Sequence, residues 1–217
     1  MTPITETRNQ RIQPAPRSTL DSAKKTLLEI PWSFLLSIWL GSAILRFLLA
    51  LILTNPFIFI DELWYWQIAR TFHRTGQFLL LDHDIYIPSR LYSVLLSAAF
   101  VFREPFTSYV AAKMINALLI CSVVFPVYLL ARELLGKKEC AAALLLSVAI
   151  AGGAYSGTIM PENLFYPAFM LSFWLAYRVL AGLRTRDGLL SGIAFSVSYF
   201  IKPHIMILAL SYSLCVG

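Results

Sequence analysis

The sequence predicts an all-α membrane protein: a polytopic bundle of transmembrane helices with juxtamembrane helices in its first outer loop. Three observations carry this. The 217 residues are 58% hydrophobic and only 14% charged, with a mean hydropathy of +0.68, too little polar surface for a water-soluble domain. Several runs reach the ~18 apolar residues that read as membrane-spanning. Basic residues recur in clusters between such runs, as expected of a chain that crosses a bilayer repeatedly.

The elements follow in order. Met1 to Glu29 is polar and carries Pro, Thr, Arg and Lys. Residues 1–31 read as a flexible cytoplasmic tail and 32–217 as one transmembrane domain. A signal peptide does not fit, because the next apolar run is too long and no small-residue cleavage site follows it. The first span covers Trp32 to Thr54, about 33 Å of helix, and Asn55-Pro56 ends it. Arg46 within it must snorkel or face protein. Asp61 to Pro105 reads as an aqueous loop with two amphipathic helices. One is Glu62–Thr75, with Trp64, Ile68 and Phe72 on one stripe. The other is Ser89–Phe102, lying at the interface. Further spans are expected over Thr107–Leu130, Ala141–Ile159 and Leu164–Leu180. A last apolar stretch, Leu189–Gly217, is broken by "KPH" at Lys202 to His204. The chain ends inside that run and reads as the front part of something longer.

Charge gives the bundle a direction. The tail, Arg132–Lys138 and Arg178–Arg186 fall on one side if Ser89–Phe102 does not cross, and counting it as a span would reverse the later two clusters. With the basic clusters inside, the N-terminus is cytoplasmic in a multi-pass protein of the plasma (inner) membrane. The Asp61 loop, the Glu162 turn and the Lys202 break then lie outside. The same rule accounts for the net charge of +6, and no aromatic–basic module points to nucleic acid. Three cysteines (Cys121, Cys140, Cys215), two of them within apolar runs, suggest neither a disulfide framework nor a metal site. Phosphate-binding glycine loops and the common hydrolase and zinc motifs are missing. If the chain is a transferase, its activated donor must arrive through the membrane.

The opening of that loop, "FIFIDELWYWQIAR", concentrates the chemistry. Acids in a first helical turn complement the helix dipole, which is reason enough for Asp61 and Glu62. Their setting adds another. Carboxylates at the bilayer edge, beside Trp64, Tyr65 and Trp66, are short of water, hold a proton more readily and can take one from an attacking hydroxyl or amine. The aromatics suit either a headgroup belt or a wall for sugar or lipid. Glu162 is the only acid between Glu139 and Asp187 and lies on the same predicted face. With Asp61 it could share the work of base and orienter, or hold a divalent cation. A lysine in "YFIKPHIMIL" would cost about 2.5–3.5 kcal/mol at the bilayer centre, so Lys202 belongs at the outer interface beside a phosphate or Glu162. Arg90 suits a lipid headgroup or phosphate oxygens. His73 and His204 are assigned no role.

These residues carry a resemblance. "DELWYWQIARTFHRTGQF" is similar to the first outer loop of polyprenyl-phosphate-dependent glycosyltransferases of the GT-C superfamily, which include protein mannosyltransferases and aminoarabinose transferases. The shared positions are Asp61, Glu62, Tyr65, Ile68-Ala69 and Gly76. "YIPSRLYSVLL", "VYLLARELLG", "MPENLFY" and Lys202-Pro203 follow in the family's order. The resemblance implies an inverting transfer of a sugar from a polyprenyl-phosphate donor to a protein, lipid or glycan acceptor. Asp61 would be the base, supported by Glu62 and Glu162. Tyr65, Arg90 and Lys202 would bind substrate, Arg90 and Lys202 at the lipid phosphate. Departures are Glu162, often Asp in the family, and Ile87-Pro88, where the aminoarabinose enzymes have Lys-Pro. The rival reading is a non-catalytic membrane component, a lipid-flipping, transport or accessory subunit, or an inactive fragment; a transporter should place its ionisable groups at the bilayer midplane between broken helices.

Overall fold

The computed structural model describes residues 30–52, 59–81, 83–84, 89–150, 155, 157–182 and 185–216. The expectations for the tail, the Asn55-Pro56 break and the Ile87-Pro88 entry lie outside the described residues. The first spanning helix is α1, Trp32–Ile52, and the loop helices are α2, Ile60–Thr75, and α3, Arg90–Leu96, the latter running on as a 3-10 turn over Ser97–Val101. Then come α4, Pro105–Cys121, α5, Val124–Leu134, α6, Lys137–Ile150, α7, Glu162–Leu180, α8, Thr185–Tyr199, and α9, Ile205–Val216. Between α2 and α3 a two-residue ladder pairs β1, Leu79–Leu80, with β2, His83–Asp84, antiparallel. The class is all-α.

Side-chain contacts give six of the helices a direction. At one end Tyr128 of α5 reaches the Ile30 carbonyl at 3.5 Å and packs edge-on against Trp32. Arg178 of α7 pairs there with Asp187 of α8 at 3.1 Å. At the other end Lys113 of α4 donates to the Ala50 carbonyl of α1 at 2.9 Å, and Lys202 after α8 pairs with Glu162 of α7. So α1, α6 and α8 run one way, and α4, α5 and α7 the other. Arg132, Lys137, Lys138, Arg178 and Arg186 gather at the first end. Asp61, Glu162 and Lys202 gather at the second.

Burial divides likewise. Leu35, Ile38, Val124, Tyr128, Cys140 and Leu144 form a cluster toward the basic end. Trp66, Ala69, Tyr92, Leu96, Ala112 and Ile159 form another toward the acidic end. Outside them α1 exposes Leu40, Ile44, Leu45, Leu48 and Leu49, an apolar surface that suits lipid and not water. Both α1 and the α4–α5 pair, Pro105–Leu134, are long and apolar enough to cross a membrane.

The structure refines several expectations. The span expected over Thr107–Leu130 falls within Pro105–Leu134, which is long and apolar enough to cross a membrane, and is built as two helices separated at Ser122-Val123, where Pro126 has no N–H to return to the Ser122 carbonyl. Of the span expected over Ala141–Ile159, the described helix covers residues up to Ile150, and Thr158 to Met160 is buried, non-helical backbone. On α2 the buried positions are Glu62, Trp66, Ile68 and Ala69, whereas Trp64 is exposed. The inward stripe therefore runs through Glu62, an acid with buried partners, and not through Trp64. Besides Arg46, Lys113 is a buried cation. Arg46 itself faces protein: its guanidinium donates to the Val148 carbonyl and, at 3.5 Å, to that of Ala149. A cation there complements the carbonyl end of α6.

Candidate functional site

Helix α2 starts after extended Phe59 and stops at Gly76, whose φ of +72° suits a residue without a Cβ and whose N–H donates to the Phe72 carbonyl at 2.8 Å. One helical step of ~100° separates Asp61 from Glu62, and it separates their surroundings completely. Asp61 is exposed, while Glu62 is fully buried. One Glu62 oxygen accepts from the Tyr109 hydroxyl at 3.0 Å and from the Ile159 N–H at 2.9 Å. That carboxylate ties α2 to α4 and to the irregular chain before α7.

One turn on, Tyr65 stands over the Asp61 side of the helix. Its ring meets Tyr92 edge-on at 5.7 Å, and its hydroxyl lies 3.5 Å from the Ser89 hydroxyl. Burial pushes the Tyr65 phenol above the ordinary tyrosine range, against the Ser89 hydrogen bond and Lys202; the charges of Asp61 and Glu162 push the same way. Asp61, Glu162 and Lys202 therefore all lie within electrostatic reach of one phenol. Glu162 opens α7, and Lys202 sits in the turn after α8. They form an ion pair, with side chains 12% and 23% exposed. The second Glu162 oxygen is buried and has no hydrogen-bond partner among the described residues.

Arg90 is brought in by its backbone. The next residue, Leu91, donates its N–H to the Phe200 carbonyl at 3.3 Å, which joins the start of α3 to the Lys202 turn. The exposed Arg90 guanidinium lies over the Phe78 ring, 5.4 Å from its centre. Of the three aromatics after the acids, Trp64 alone is exposed; Trp66 is buried against Phe100 and Tyr109.

Beneath the site runs a buried polar chain. The Tyr92 hydroxyl donates to Asn116 Oδ1 at 3.0 Å, and the Asn116 amide donates to the Thr158 carbonyl at 2.9 Å. Asn163 donates to the carbonyls of Tyr155, Thr158 and Met160, each at 3.1 Å. These contacts satisfy backbone that has left helical geometry and so set the approach to Glu162. Sequence reasoning missed Tyr92, Tyr109, Lys113, Asn116 and Asn163. The available signal was polar residues inside apolar runs, as in "YVAAKMINALL".

The carboxylates could have gathered a divalent cation, but a lysine ammonium already holds Glu162. Among the described residues no group of three or more His, Cys, Asp or Glu side chains is assembled.

Burial also raises the Tyr92 phenol well above the ordinary tyrosine range, against its hydrogen bond to Asn116. On unfolding, Tyr65 and Tyr92 return to about pH 10. Above that pH the unfolded chain releases protons that the folded chain retains, so stability falls as pH rises from about 10 toward the folded values. Thermal melts between pH 9 and 11 should show this decline, and Tyr92→Phe should make it shallower.

Apolar helices with lipid-suited surfaces and an ionisable cluster at one end make this a membrane protein. The model of the family described as dolichyl-phosphate-mannose-protein mannosyltransferase matches residues 98–216, more than half of the chain. The chain belongs to that family, and thereby to the membrane glycosyltransferases of the GT-C type. Glu162 and Lys202 lie inside the matched residues, whereas Asp61, Glu62, Tyr65 and Arg90 precede them. No curated protein and no solved structure matches the chain.

Proposed function

We propose that this chain transfers a sugar from a polyprenyl-phosphate donor to a protein, lipid or glycan acceptor, at the membrane face that carries Asp61, Glu162 and Lys202. The observation that carries the reading is the Glu162–Lys202 ion pair meeting the Asp61 turn of α2 around Tyr65, from positions about 100 and 140 residues beyond Asp61 in sequence. The reaction is a single displacement. Asp61 takes the proton of the acceptor hydroxyl or amine, whose lone pair bonds to the anomeric carbon. The bond from that carbon to the phosphate oxygen breaks, and its electron pair leaves with the lipid phosphate, inverting the centre. Lys202 and Arg90 meet the developing negative charge. Tyr65, kept protonated, donates a hydrogen bond to donor oxygens. Glu162 holds the Lys202 ammonium in place, and Glu62, sealed beneath Asp61, is a positioning residue and not a second base.

In this reading residues 32–217 form one multi-pass domain of the plasma (inner) membrane. The basic connections face the cytoplasm with the N-terminus, and the site faces outward. The rival, a transport or flipping subunit, expects its ionisable groups at the midplane. Lys113 is the group to weigh, and its bond to the Ala50 carbonyl ties it to the last turn of α1, on the side of the site.

The test is turnover of a polyprenyl-phosphate sugar in proteoliposomes. Lys202→Met should raise KM for the donor and lower kcat, with about a hundred-fold loss in kcat/KM, as a charge-assisted contact of about 1.5–3 kcal/mol is removed. Lys202→Arg should recover part of it. Cysteines placed at 61 and 162 should both react with an impermeant reagent from the same side. No turnover with any donor, or labelling from opposite sides, overturns the reading.

A further inference from the structure

A second basic site lies beside the one described. Around a cavity of about 350 Å³ stand Arg70, His73 and Arg74 of α2 and Arg103 from the turn before α4, over a floor that includes Trp66 and Phe100. Trp66, Arg70, His73 and Arg74 are spaced i, i+4, i+7 and i+8, so they share one face of α2. This face continues the line on which Glu62 and Trp66 turn inward, away from Asp61. The Trp66 and Phe100 rings pack at 4.5 Å, and His73 lies 6.4 Å from Phe100, which gives the cavity an apolar wall below its charged rim.

Three features mark it as built for an anion. Arg70, His73, Arg74 and Arg103 are all exposed, and no ion pair between described residues involves any of them. The nearest acid in sequence, Glu104, is committed elsewhere. It caps α4, accepting from the Phe106 and Thr107 N–H groups at 2.9 and 2.5 Å and from the Thr107 hydroxyl at 2.6 Å. Those donors, the Thr107 hydroxyl first, hold the carboxyl below its usual range. The cluster is also at the wrong end for a topology signal. The connections rich in Arg and Lys lie at the far end of the bundle, so the positive-inside rule leaves three arginines here unexplained. Guanidinium forks over an aromatic floor suit a phosphate group attached to something apolar.

We infer that the cavity between α2 and the α3–α4 corner binds a phosphate group, distinct from the donor phosphate at Lys202 and Arg90. The group is carried either on a lipid headgroup at the membrane surface or on a soluble phosphorylated molecule. The inference rests on the cavity alone and does not require the transfer reaction.

The experiment uses the full chain in neutral-lipid nanodiscs. Short-chain phosphatidic acid, short-chain phosphatidylcholine and inorganic phosphate are titrated and bound ligand is counted by native mass spectrometry. The triple variant R70Q/R74Q/R103Q is compared with a control that removes three exposed cations from the far end, K137Q/K138Q/R186Q. Phosphatidic acid should bind the parent at least about ten-fold more tightly than phosphatidylcholine, the equivalent of ~1.4 kcal/mol. The triple variant should lose that preference, and the control should keep it. Preference for phosphatidic acid identifies a lipid headgroup. Binding of inorganic phosphate without that preference identifies a soluble phosphoryl ligand, again only in proteins that retain the three arginines. Equal binding by the triple variant and the parent overturns the inference, as does an equal loss in the control, which would report charge in general. Circular dichroism of each variant separates lost binding from lost fold. Absence of sugar transfer with binding intact would count against the proposed reaction and not against this site.

Discussion

Asp61→Asn is expected to abolish sugar transfer while leaving the protein inserted, folded and able to bind its donor lipid. Asp61 is exposed on the first turn of α2, so an amide of nearly the same shape disturbs no packing. What it removes, in the proposed reaction, is the capacity to accept the acceptor's proton as the new bond forms. A positioned general base contributes about 10²–10⁴-fold, so transfer should fall at least a hundred-fold. In the proposed reaction Lys202 and Arg90, not Asp61, meet the donor phosphate, so KM for the donor should change little and the loss should appear in kcat. Asp61→Glu, which keeps the charge on a longer arm, should retain a measurable fraction. Turnover of radiolabelled donor in proteoliposomes checks both variants, with circular dichroism as the control for folding. Unchanged turnover in Asp61→Asn would remove Asp61 from the base role and leave Glu162 as the nearer candidate.

Most of the helical plan was legible because apolar runs of spanning length, and the polar breaks between them, are local properties of the chain. The separation of basic and acidic groups to opposite ends was legible too, since basic clusters alternate with acids along the sequence. What was not legible is which of two adjacent carboxylates turns inward. Glu62 is buried by partners 47 and 97 residues away, and no local pattern carries that information. Lys113 escaped for a different reason. One lysine among "YVAAKMINALL" barely lowers the average hydropathy, yet Tyr109 stands one turn before it, and the ammonium lies 4.6 Å from that ring's centre. A Tyr–Lys pair at i, i+4 inside a span was the readable clue. The basic face of α2 was visible as Arg70, His73 and Arg74, but Arg103, which completes the cavity, arrives only once α3 has folded back.

The buried acid sets the second large effect. In Glu62→Ala the Tyr109 hydroxyl and the Ile159 N–H lose their common acceptor, and Lys113 loses a negative charge within its electrostatic reach. Removing one partner of a buried charged cluster costs about 3–5 kcal/mol, a large part of the stability of an ordinary domain. The variant should express poorly and melt well below the parent, with the joint between α2, α4 and the start of α7 opening first. Glu62→Gln separates structure from chemistry. The amide oxygen, with two lone pairs, can still accept from both donors while the charge is lost, so the loss should shrink to about 1–3 kcal/mol. Below its lowered melting temperature this variant should transfer sugar at a rate within about ten-fold of the parent, a range well short of the loss expected when a general base is removed. The opposite pattern, full thermal stability with transfer abolished, would make Glu62 the base. That result would require a conformational change to uncover a carboxylate now sealed beneath Tyr109, and Asp61 would then be no more than an acid at the positive end of a helix.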